Sequence, residues 1–440
     1  MRNYPEVSLQ VPNALIPNKL SAIEKWAVVA CDQYTSQPEY WDKVNQITED
    51  SPSAYHLILP EAYLGTPKEI VHQSQIFPSM RSYIDSGIFE EFQGFIYVER
   101  TLGHRTRQGL IVALDLEQYD FHKDSQSLIR ATEGTIIDRL PPRVEIRKKA
   151  LLEIPHILVL IDDPQSTVIE PLAAESKSLH ILYDFELMLG GGHLRGSLIN
   201  DLELERKVIS ALGSLSESDL QDQKYGLGNA PLLYAVGDGN HSLAAAKSFW
   251  EKIKGNVSLD HPARFALVEI VNIHNEGIVF EPIHRLAKNV SFDLLETLST
   301  FYSNEINIVN VQDFNSLGDQ IMDQSVDTQL IGLVSKDKLQ IMEILQPLHT
   351  LPVGSLQLFL DDLILKHPEI SLDFIHGDDA LLQLASQPNN VGFYLPAMQK
   401  SSLFRSVMKD GPLPRKTFSM GEAHEKRYYL ECRKIRVDEP

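Results

Sequence analysis

The chain has only two cysteines, Cys31 and Cys432, among its 440 residues. Two distant cysteines cannot build a disulfide framework, and without a C-x-x-C pair there is no cysteine-based structural zinc site. Such scarce cysteine favours a reducing compartment. The N-terminal region has no apolar core of signal-peptide length. The strongest apolar runs, 157–161 and 232–236, are far shorter than the ~20 residues that cross a bilayer. We therefore expect a cytoplasmic protein without a membrane span.

Basic residues are also few compared with acidic ones. The chain carries 40 Lys and Arg against 60 Asp and Glu, a formal net charge of −20 with a pI near 5.2. This balance argues against a broad surface for nucleic acid or anionic lipid. The apolar fraction of 43% and the charged fraction of 23% are those of an ordinary globular protein. The expected partners are therefore small molecules.

Several catalytic motifs are absent. No G-x-x-x-x-G-K-[ST], H-E-x-x-H or G-x-S-x-G pattern occurs, which removes Walker-type, zincin and hydrolase-elbow interpretations. Gly239, Asn240 and His241 form the G-N-H triplet of binuclear metallophosphoesterases, and Asp120 with His122 matches their D-x-H element. The G-D-x-x-D element that would supply further ligands is missing. A metal-dependent phosphoesterase therefore stays as a third interpretation.

Short apolar runs separated by turns predict strands in the N-terminal region. Residues 95–98 and 109–115 flank a polar turn that contains glycine, and this pattern predicts a β-hairpin. The run 157–161, stopped by two aspartates and a proline, predicts a buried strand. A glycine-rich stretch at 190–197 lacks the strand-to-helix context of a dinucleotide loop, so we predict a flexible loop there, such as a lid.

The pattern changes after residue 262. Residues 265–273 and 277–281 predict a second hairpin, and alternating helices and strands follow it. This order is typical of an α+β sandwich. We place a boundary near residue 260, with one domain over 1–260 and a C-terminal α+β domain over 261–440.

The segment 232–247 is the most informative one for chemistry. It predicts a buried strand, a turn that contains Gly237 and Gly239, and a helix rich in alanine. The first amides of a helix lack internal acceptors and carry the positive end of the helix dipole, so such a turn is a ready anion site. Asp238 adds a carboxylate that could hold a metal ion. The alternative is an ordinary turn in which Asp238 or Asn240 caps the helix.

Other charged residues could complete such a site. Arg130, Arg143 and Glu133 lie close together in an acidic chain, and arginine suits phosphate binding. The alternative for this stretch is a solvated helix face with internal ion pairs. Asp32 follows a predicted buried strand, where α/β proteins often place functional groups. Arg285 follows a strand in the sequence 282–285, and taken alone it is ordinary surface charge.

These segments together resemble the prokaryotic family called domain of unknown function 1015 (DUF1015) over nearly the whole chain. The resemblance rests on short motifs spread from the early Asp turn to the C-terminal region, carried by Asp32, Arg130, Thr132, Glu133, Thr135, Asp238, Gly239, His241, Pro282, His284, Arg285, Pro414, Lys416 and Phe418. The D-G-x-H turn with its helix is the most specific of them. Many relatives have Arg after this turn, where this chain has Ser242.

The resemblance implies a mixed α/β fold in which the N-terminal part is ParB/sulfiredoxin-like, because the family resembles that superfamily. Its members include nucleotide-dependent kinases of small molecules, such as an ADP-dependent free-serine kinase, and nucleotide-switched DNA-binding proteins. We therefore expect a nucleotide, ATP or ADP, with Mg²⁺ and a small-molecule acceptor. The alternative is a non-catalytic protein that senses a nucleotide.

The expected roles follow from that chemistry. Asp238 would hold Mg²⁺, and Glu133 or Asp32 would be the catalytic base. The phosphate ligands would be main-chain and side-chain donors of the turn with three arginines, namely Gly237, Gly239, Asn240, His241, Ser242, Arg130, Arg143 and Arg285.

Overall fold

The computed structural model describes residues 2–228, 230–322, 327–336 and 338–436. The chain divides into two compact units, which we call the first unit (1–278 with 421–440) and the second unit (279–420). Both units combine helices with β-sheet, so the predicted α+β class is confirmed.

The part of the first unit before residue 279 contains the strands β1 (Asn3–Tyr4), β2 (Leu9–Gln10), β3 (Asn13–Ile16), β4 (Val28–Val29), β5 (Glu90–Gln93), β6 (Phe95–Leu102), β7 (Arg105–Asp115), β8 (Tyr119–Asp120), β9 (Ile129–Ala131), β10 (Leu152–Glu153), β11 (Leu158–Ile161), β12 (His180–Leu187), β13 (Gly192–Ile199), β14 (Tyr234–Asp238) and β15 (Phe265–Asn272). The second unit contributes β16 (Phe280–Lys288), β17 (Ile306–Asn310), β18 (Gln329–Val334), β19 (Leu339–Ile344), β20 (Ser371–His376), β21 (Val391–Tyr394) and β22 (Phe418–Met420). The first unit resumes with β23 (Tyr428–Tyr429) and β24 (Arg433–Lys434).

The α-helices, in chain order, are α1 (Pro38–Thr48), α2 (Pro67–Asp85), α3 (Leu140–Lys149), α4 (Leu172–Glu175), α5 (Leu202–Leu215), α6 (Ser218–Tyr225), α7 (Asn240–Ile253), α8 (Leu294–Phe301), α9 (Phe314–Ile321), α10 (Pro352–Lys366), α11 (Asp378–Ala385) and α12 (Ser402–Asp410). None of the helices in the described ranges is both long enough and apolar enough to cross a bilayer.

A large sheet forms the centre of the first unit. Its main path runs β12-β13-β6-β7-β15-β11-β14-β9-β8. The predicted hairpin is confirmed, since β6 and β7 pair antiparallel. Successive side chains of a strand point to opposite faces. Accordingly, Phe95 and Tyr97 enter one hydrophobic core, and Ile96 and Val98 enter the other. The sheet is therefore covered on both faces.

The hairpin predicted after residue 262 is wrong. β15 pairs with β7 and β11 in the first unit. β16 pairs instead with β20, β21 and β22 in the second unit. The two apolar runs are adjacent in sequence, but each completes a different sheet. The contacts therefore divide the chain after residue 278, whereas the sequence prediction divided it near 260.

The second unit has its own sheet, with the main path β17-β19-β18-β21-β16-β20. Small apolar clusters pack α9 and α11 against it, with Leu317 and Ile321 from α9 and Leu381 and Ala385 from α11 all nearly fully buried. This unit is thus a helix-on-sheet sandwich, as the alternating pattern predicted.

The glycine-rich stretch at 190–197 is not the predicted flexible loop. Residues 192–197 lie in β13, between β12 and β6. A side chain at Gly196 would collide with the ring of Tyr183, and one at Gly192 would lie 2.3 Å from the carbonyl oxygen of Thr101. These glycines are therefore required by close packing inside a sheet.

The C-terminal segment returns to the first unit, where β23 pairs with β4 and β24 pairs with β10. The single predicted strand over 427–435 is thus two short strands. Buried ion pairs hold the segment in place. The guanidinium of Arg427 lies 3.1 Å from Glu269 and 2.5 Å from Glu431, and all three residues are nearly fully buried.

Replacing Arg427 tests this attachment. R427A leaves two buried carboxylates without their shared cation, so we expect the free energy of unfolding to fall by about 3–5 kcal/mol. Urea unfolding of the full chain measures the change. K148A, which removes half of an exposed ion pair with Glu145, should cost about 0.5 kcal/mol or less. Equal stability of the two variants would contradict this role for Arg427.

Candidate functional site

The site begins at the turn between β14 and α7. β14 lies between the antiparallel β11 and the parallel β9, which explains why Tyr234 and Val236 are fully buried. Gly239 follows the strand with φ 78°, in the left-handed region that favours glycine. A Cβ at this position would also lie only 2.9 Å from the side chain of Ile157. Conformation and space both require glycine at position 239. Gly237, the other glycine of the predicted turn, lies within β14 instead.

The N-terminus of α7 is uncapped by any side chain. Leu243 N–H bonds the carbonyl of Gly239, at 3.0 Å. The N–H groups of Asn240 and Ser242 have no acceptor among the residues that the structure describes. Asn240 is 8% exposed, and its Oδ1 has no hydrogen-bond partner there either. The predicted side-chain cap is therefore absent, and the turn keeps donors and one buried acceptor for a ligand.

The chain after β9 packs against this turn. Thr132 donates through Oγ1 to the carbonyl of Val236, at 2.6 Å, and the N–H of Ile136 donates to Nε2 of His241, at 3.2 Å. Glu133 lies between these two contacts in the sequence. Since β9 and β14 are parallel and pair Ala131 with Val236, Glu133 leaves the same sheet edge as Asp238. The structure thus brings together the two segments that the sequence marked as chemical.

The contact at His241 also restricts its chemistry. Because Nε2 accepts an N–H, it carries no proton while this bond is made, and the neutral ring then carries its proton on Nδ1. His241 can therefore donate to an anion only from its other nitrogen. Its ring also fixes the loop after β9 against the helix.

Lys426 is a residue of the candidate site that the sequence did not indicate. Its Nζ lies 3.6 Å from Oδ2 of Asp238, and the two side chains are 12% and 19% exposed. Lys426 comes from the C-terminal segment, far along the chain, and no local motif marks it. The pairing of β23 with β4 and of β24 with β10 places this segment in the first unit.

Asp32 lies in a neighbouring polar cluster. Cys31 N–H contacts the hydroxyl of Tyr429 at 3.3 Å, and the same hydroxyl lies 2.8 Å from Nδ1 of His156. His156 directly precedes Ile157, the residue packed against Gly239. Oδ1 of Asp32 accepts a hydrogen bond from Gln33, at 3.0 Å.

The Cys31 thiol is not a nucleophile in this cluster. Burial raises its pKa to about 12, and the charge of Asp32 adds to the effect. A thiol with such a pKa is protonated at neutral pH and reacts slowly. Cys31 is half-buried, so the sequence interpretation of this residue as a small buried filler is confirmed only in part.

Arg143 reaches the same neighbourhood from α3, which packs against α7. Its guanidinium pairs with the carboxylate of Glu61, and Glu61 N–H bonds the carbonyl of Cys31, at 2.8 Å. Glu61 lies outside this stretch, so the pair is not one of the internal ion pairs that the alternative interpretation predicted. The positive charge of Arg143 lowers the pKa of the Cys31 thiol, which opposes the larger effect of burial.

Arg130 lies elsewhere. Its guanidinium is buried and donates to the carbonyl oxygens of Ser127, Ala230 and Pro231 at 2.8–3.2 Å. Burial lowers the pKa of this guanidinium. These carbonyls precede β9 and β14, whereas the turn follows β14. Its contacts therefore do not support the predicted phosphate contact of Arg130.

Arg285 belongs to the second unit. It is fully buried on β16 and donates to the carbonyl oxygens of Ile283, Arg415 and Lys416, at 2.6–3.1 Å. Its guanidinium also lies over the ring of Phe374, 4.6 Å from the centroid. These contacts give Arg285 a structural role inside the second unit. They do not support the predicted phosphate contact.

The described part of the chain contains no group of three or more His, Cys, Asp or Glu side chains that could hold a metal ion. Asp120 and His122 pair with each other at 2.5 Å on the surface. The donor set of a binuclear phosphoesterase is therefore not assembled from these residues. A single Mg²⁺ held by one carboxylate and by phosphate oxygens needs no such group.

The fold and site define a mixed α/β protein of two units with a helix N-terminus at one sheet edge. The chain belongs to the DUF1015 family, described as proteins of unknown function, whose model matches residues 14–432. No curated protein matches the sequence.

Three solved structures illustrate the remaining likeness. A free serine kinase mutant in complex with AMP is 11% identical, with a TM-score of 0.39 over 76% of this chain and 94% of that one. A conserved hypothetical protein from Pyrococcus furiosus is 11% identical, with a TM-score of 0.36 over 76% and 98%. SbnI with a C-terminal truncation, from Staphylococcus aureus, is 11% identical, with a TM-score of 0.33 over 71% and 83%. Likeness at this level carries no argument about function.

Replacing Gly239 tests whether the turn is built as described. G239A combines an unfavourable φ with contact against Ile157, so we expect the free energy of unfolding to fall by about 1–3 kcal/mol. G213A is the matched control, because a Cβ at this helical position in α5 meets nothing within 4 Å. It should leave stability unchanged or raise it by up to about 1 kcal/mol. Equal shifts of the urea midpoint in G239A and G213A would contradict the requirement for glycine at position 239.

Proposed function

We propose that this protein binds a nucleotide through its phosphates at the β14–α7 turn and transfers or hydrolyses the terminal phosphoryl group. One observation carries the proposal. The turn presents the N–H groups of Asn240 and Ser242 without an acceptor among the described residues, beside the unpartnered Oδ1 of Asn240. Phosphate is the anion that helix N-termini most often bind in proteins.

The charges around the turn suit a metal–phosphate group. Asp238 and the amide oxygen of Asn240 are hard oxygen ligands, and together with phosphate oxygens they would hold Mg²⁺, which offsets negative charge on the phosphates. Many relatives have an arginine where this chain has the neutral Ser242. Lys426, beside Asp238, would supply the positive charge instead. Its Nζ lies 3.6 Å from Oδ2 of Asp238. Arg143 is the remaining predicted arginine near this group.

The proton acceptor would be Glu133, with Asp32 as the second candidate. In transfer, the terminal P–O bond of the nucleotide breaks and a new P–O bond forms to the acceptor hydroxyl. That hydroxyl gives its proton to the carboxylate of Glu133, and the shortened nucleotide leaves. In hydrolysis water takes the place of the acceptor. The position of Glu133 at the same sheet edge as Asp238 favours it over Asp32.

Three further predictions belong to this proposal. The N-terminal part over 1–260 would be ParB/sulfiredoxin-like, the protein would be prokaryotic and cytoplasmic, and the acceptor would be a small molecule. Nucleic acid remains disfavoured as a partner by the net charge of −20.

Calorimetry tests the binding step. ATP, ADP, CTP and GTP are each titrated with Mg²⁺ into the full chain, and we expect at least one to bind below the millimolar range. D238N should weaken that nucleotide about tenfold, a loss of about 1.4 kcal/mol, because the metal ligand becomes neutral. D85N, an exposed carboxylate at the end of α2, should leave affinity unchanged. No binding of any of the four nucleotides would overturn the proposal.

Turnover separates the enzyme from a nucleotide sensor. The nucleotide that binds is incubated with pools of metabolites, and release of phosphate or of the shortened nucleotide is measured. E133Q should keep nucleotide affinity but lose about 10²–10⁴-fold in rate, which is the usual contribution of a general base. D32N should lose little. Tight binding without any product from the unaltered chain would favour the sensor instead, and a rate loss only in D32N would reassign the base.

A further inference from the structure

A second cluster of cations in the first unit surrounds a small cavity outside the β14–α7 turn. The cavity has a volume of about 20 Å³ and is lined by Arg100, Leu102, Arg105, Arg107, Gly277 and Glu425. The two strands of the β6–β7 hairpin supply the three arginines. Gly277 closes one side, since a Cβ there would lie 2.7 Å from the backbone of Arg107.

Arg100 is nearly fully buried, and among the described residues its guanidinium donates hydrogen bonds to main-chain carbonyls only. It donates to Gly191 at 2.7 Å, to His424 at 2.8 Å and to Lys426 at 3.1 Å. Across the described ranges no carboxylate lies within ion-pair distance of it. A guanidinium has five N–H donors, and these contacts use three of them. The guanidinium also lies over the ring of Tyr428, 4.7 Å from the centroid. Arg100 therefore has no direct carboxylate partner and keeps spare donors.

The surrounding buried charges do not balance. Three buried guanidiniums, Arg100, Arg107 and Arg427, adjoin two buried carboxylates, Glu269 and Glu431. Two further charged residues line the cavity, the exposed Arg105 and the half-buried Glu425. Four arginines against three carboxylates leave one positive charge in excess. The burial of Arg100 and its proximity to Arg107 lower its pKa to about 10. A buried charge is costly unless it is paired, so this cluster gains from an anion.

The remaining cavity walls leave donors for such an anion. Arg107 uses Nη1 for the carbonyl of Glu425, at 3.1 Å, and its Nε faces Glu269, at 3.4 Å. The Glu425 carboxylate accepts the N–H of Glu422, at 2.5 Å, which partly satisfies its charge. Arg105 is exposed, and its side chain has no partner in the part of the chain that the structure describes.

We propose that a small oxyanion, a carboxylate or a phosphate group, binds between Arg100, Arg105 and Arg107. Arginine presents paired donors that match both kinds of oxyanion. The cavity volume is close to that of one water-sized group, so the oxygen atoms of a single anionic group enter while the rest of the molecule stays outside. A whole nucleotide does not fit. The site does not depend on the proposed function, because none of its ligands belongs to the β14–α7 turn.

Crystals soaked in selenate locate the anion through the anomalous signal of selenium. We expect a selenium peak beside Arg100 and Arg107, at a position from which selenate oxygens accept hydrogen bonds from both guanidiniums. No peak at this place would overturn the proposal. A peak confined to the turn at Gly239 would also overturn it, while leaving the phosphate site of the proposed function intact.

Calorimetry then separates the two oxyanion sources. Inorganic phosphate and acetate are titrated separately at constant ionic strength, and the tighter binder identifies the class. R105Q should weaken that anion about tenfold, since one charge-assisted contact is lost without disturbing the buried arginines. R81Q, an exposed arginine of α2, is the matched control and should change nothing. Equal affinity in R105Q and R81Q would contradict the site. Nucleotide binding by R105Q should stay normal, so failure here is distinct from failure of the proposed function.

Discussion

The salt-bridged guanidinium of Arg427 is the constraint on which the first unit depends. Glu269 lies in the middle of the large sheet and Glu431 in the C-terminal segment, and both are buried. Buried carboxylates are tolerated only when a cation and hydrogen bonds compensate them. The C-terminal segment must therefore lie against the sheet in one register. Lys426 and Tyr429 owe their positions beside Asp238 and Cys31 to that register.

The candidate site is assembled around one residue, Gly239, whose backbone conformation favours glycine. Gly239 turns the chain from β14 into α7 in a conformation that other residues adopt only at a cost. This turn aims unbonded amides outward at the same edge where the loop after β9 ends. The contacts of Thr132 and His241 then hold that loop in place. The turn, the loop after β9 and the C-terminal segment thus bring a helix terminus, two carboxylates and a lysine to one edge of the sheet.

Arginine has a different use in this chain from the one that its sequence suggests. Arg100, Arg130 and Arg285 are buried, and each donates to several main-chain carbonyls. A guanidinium can satisfy carbonyls of separate segments at once because its donors point in several fixed directions. Each of these residues therefore links main-chain segments inside the protein. Around Arg100, a cavity and an excess of positive charge support the proposed external anion.

The amino-acid sequence determined the local features correctly. The β6–β7 hairpin, the strand β11, the helix α7 and the glycine turn before it all follow from apolar spacing and from the conformational freedom of glycine, which depend on a few neighbouring residues. The two short motifs, one with Glu133 and one with Asp238, were recognisable for the same reason. Strand order was not, because an apolar run shows that a strand is buried but not which strand it joins.

Only the tertiary structure decided the division of the chain and the full membership of the site. β15 and β16 are neighbours in sequence but belong to different sheets, and the last segment crosses back to the first unit. Arg130 and Arg143 lie in one sequence motif yet point to different surroundings. Lys426 reaches Asp238 without any motif. Charges meet through packing between distant segments, and sequence spacing carries no record of such distances.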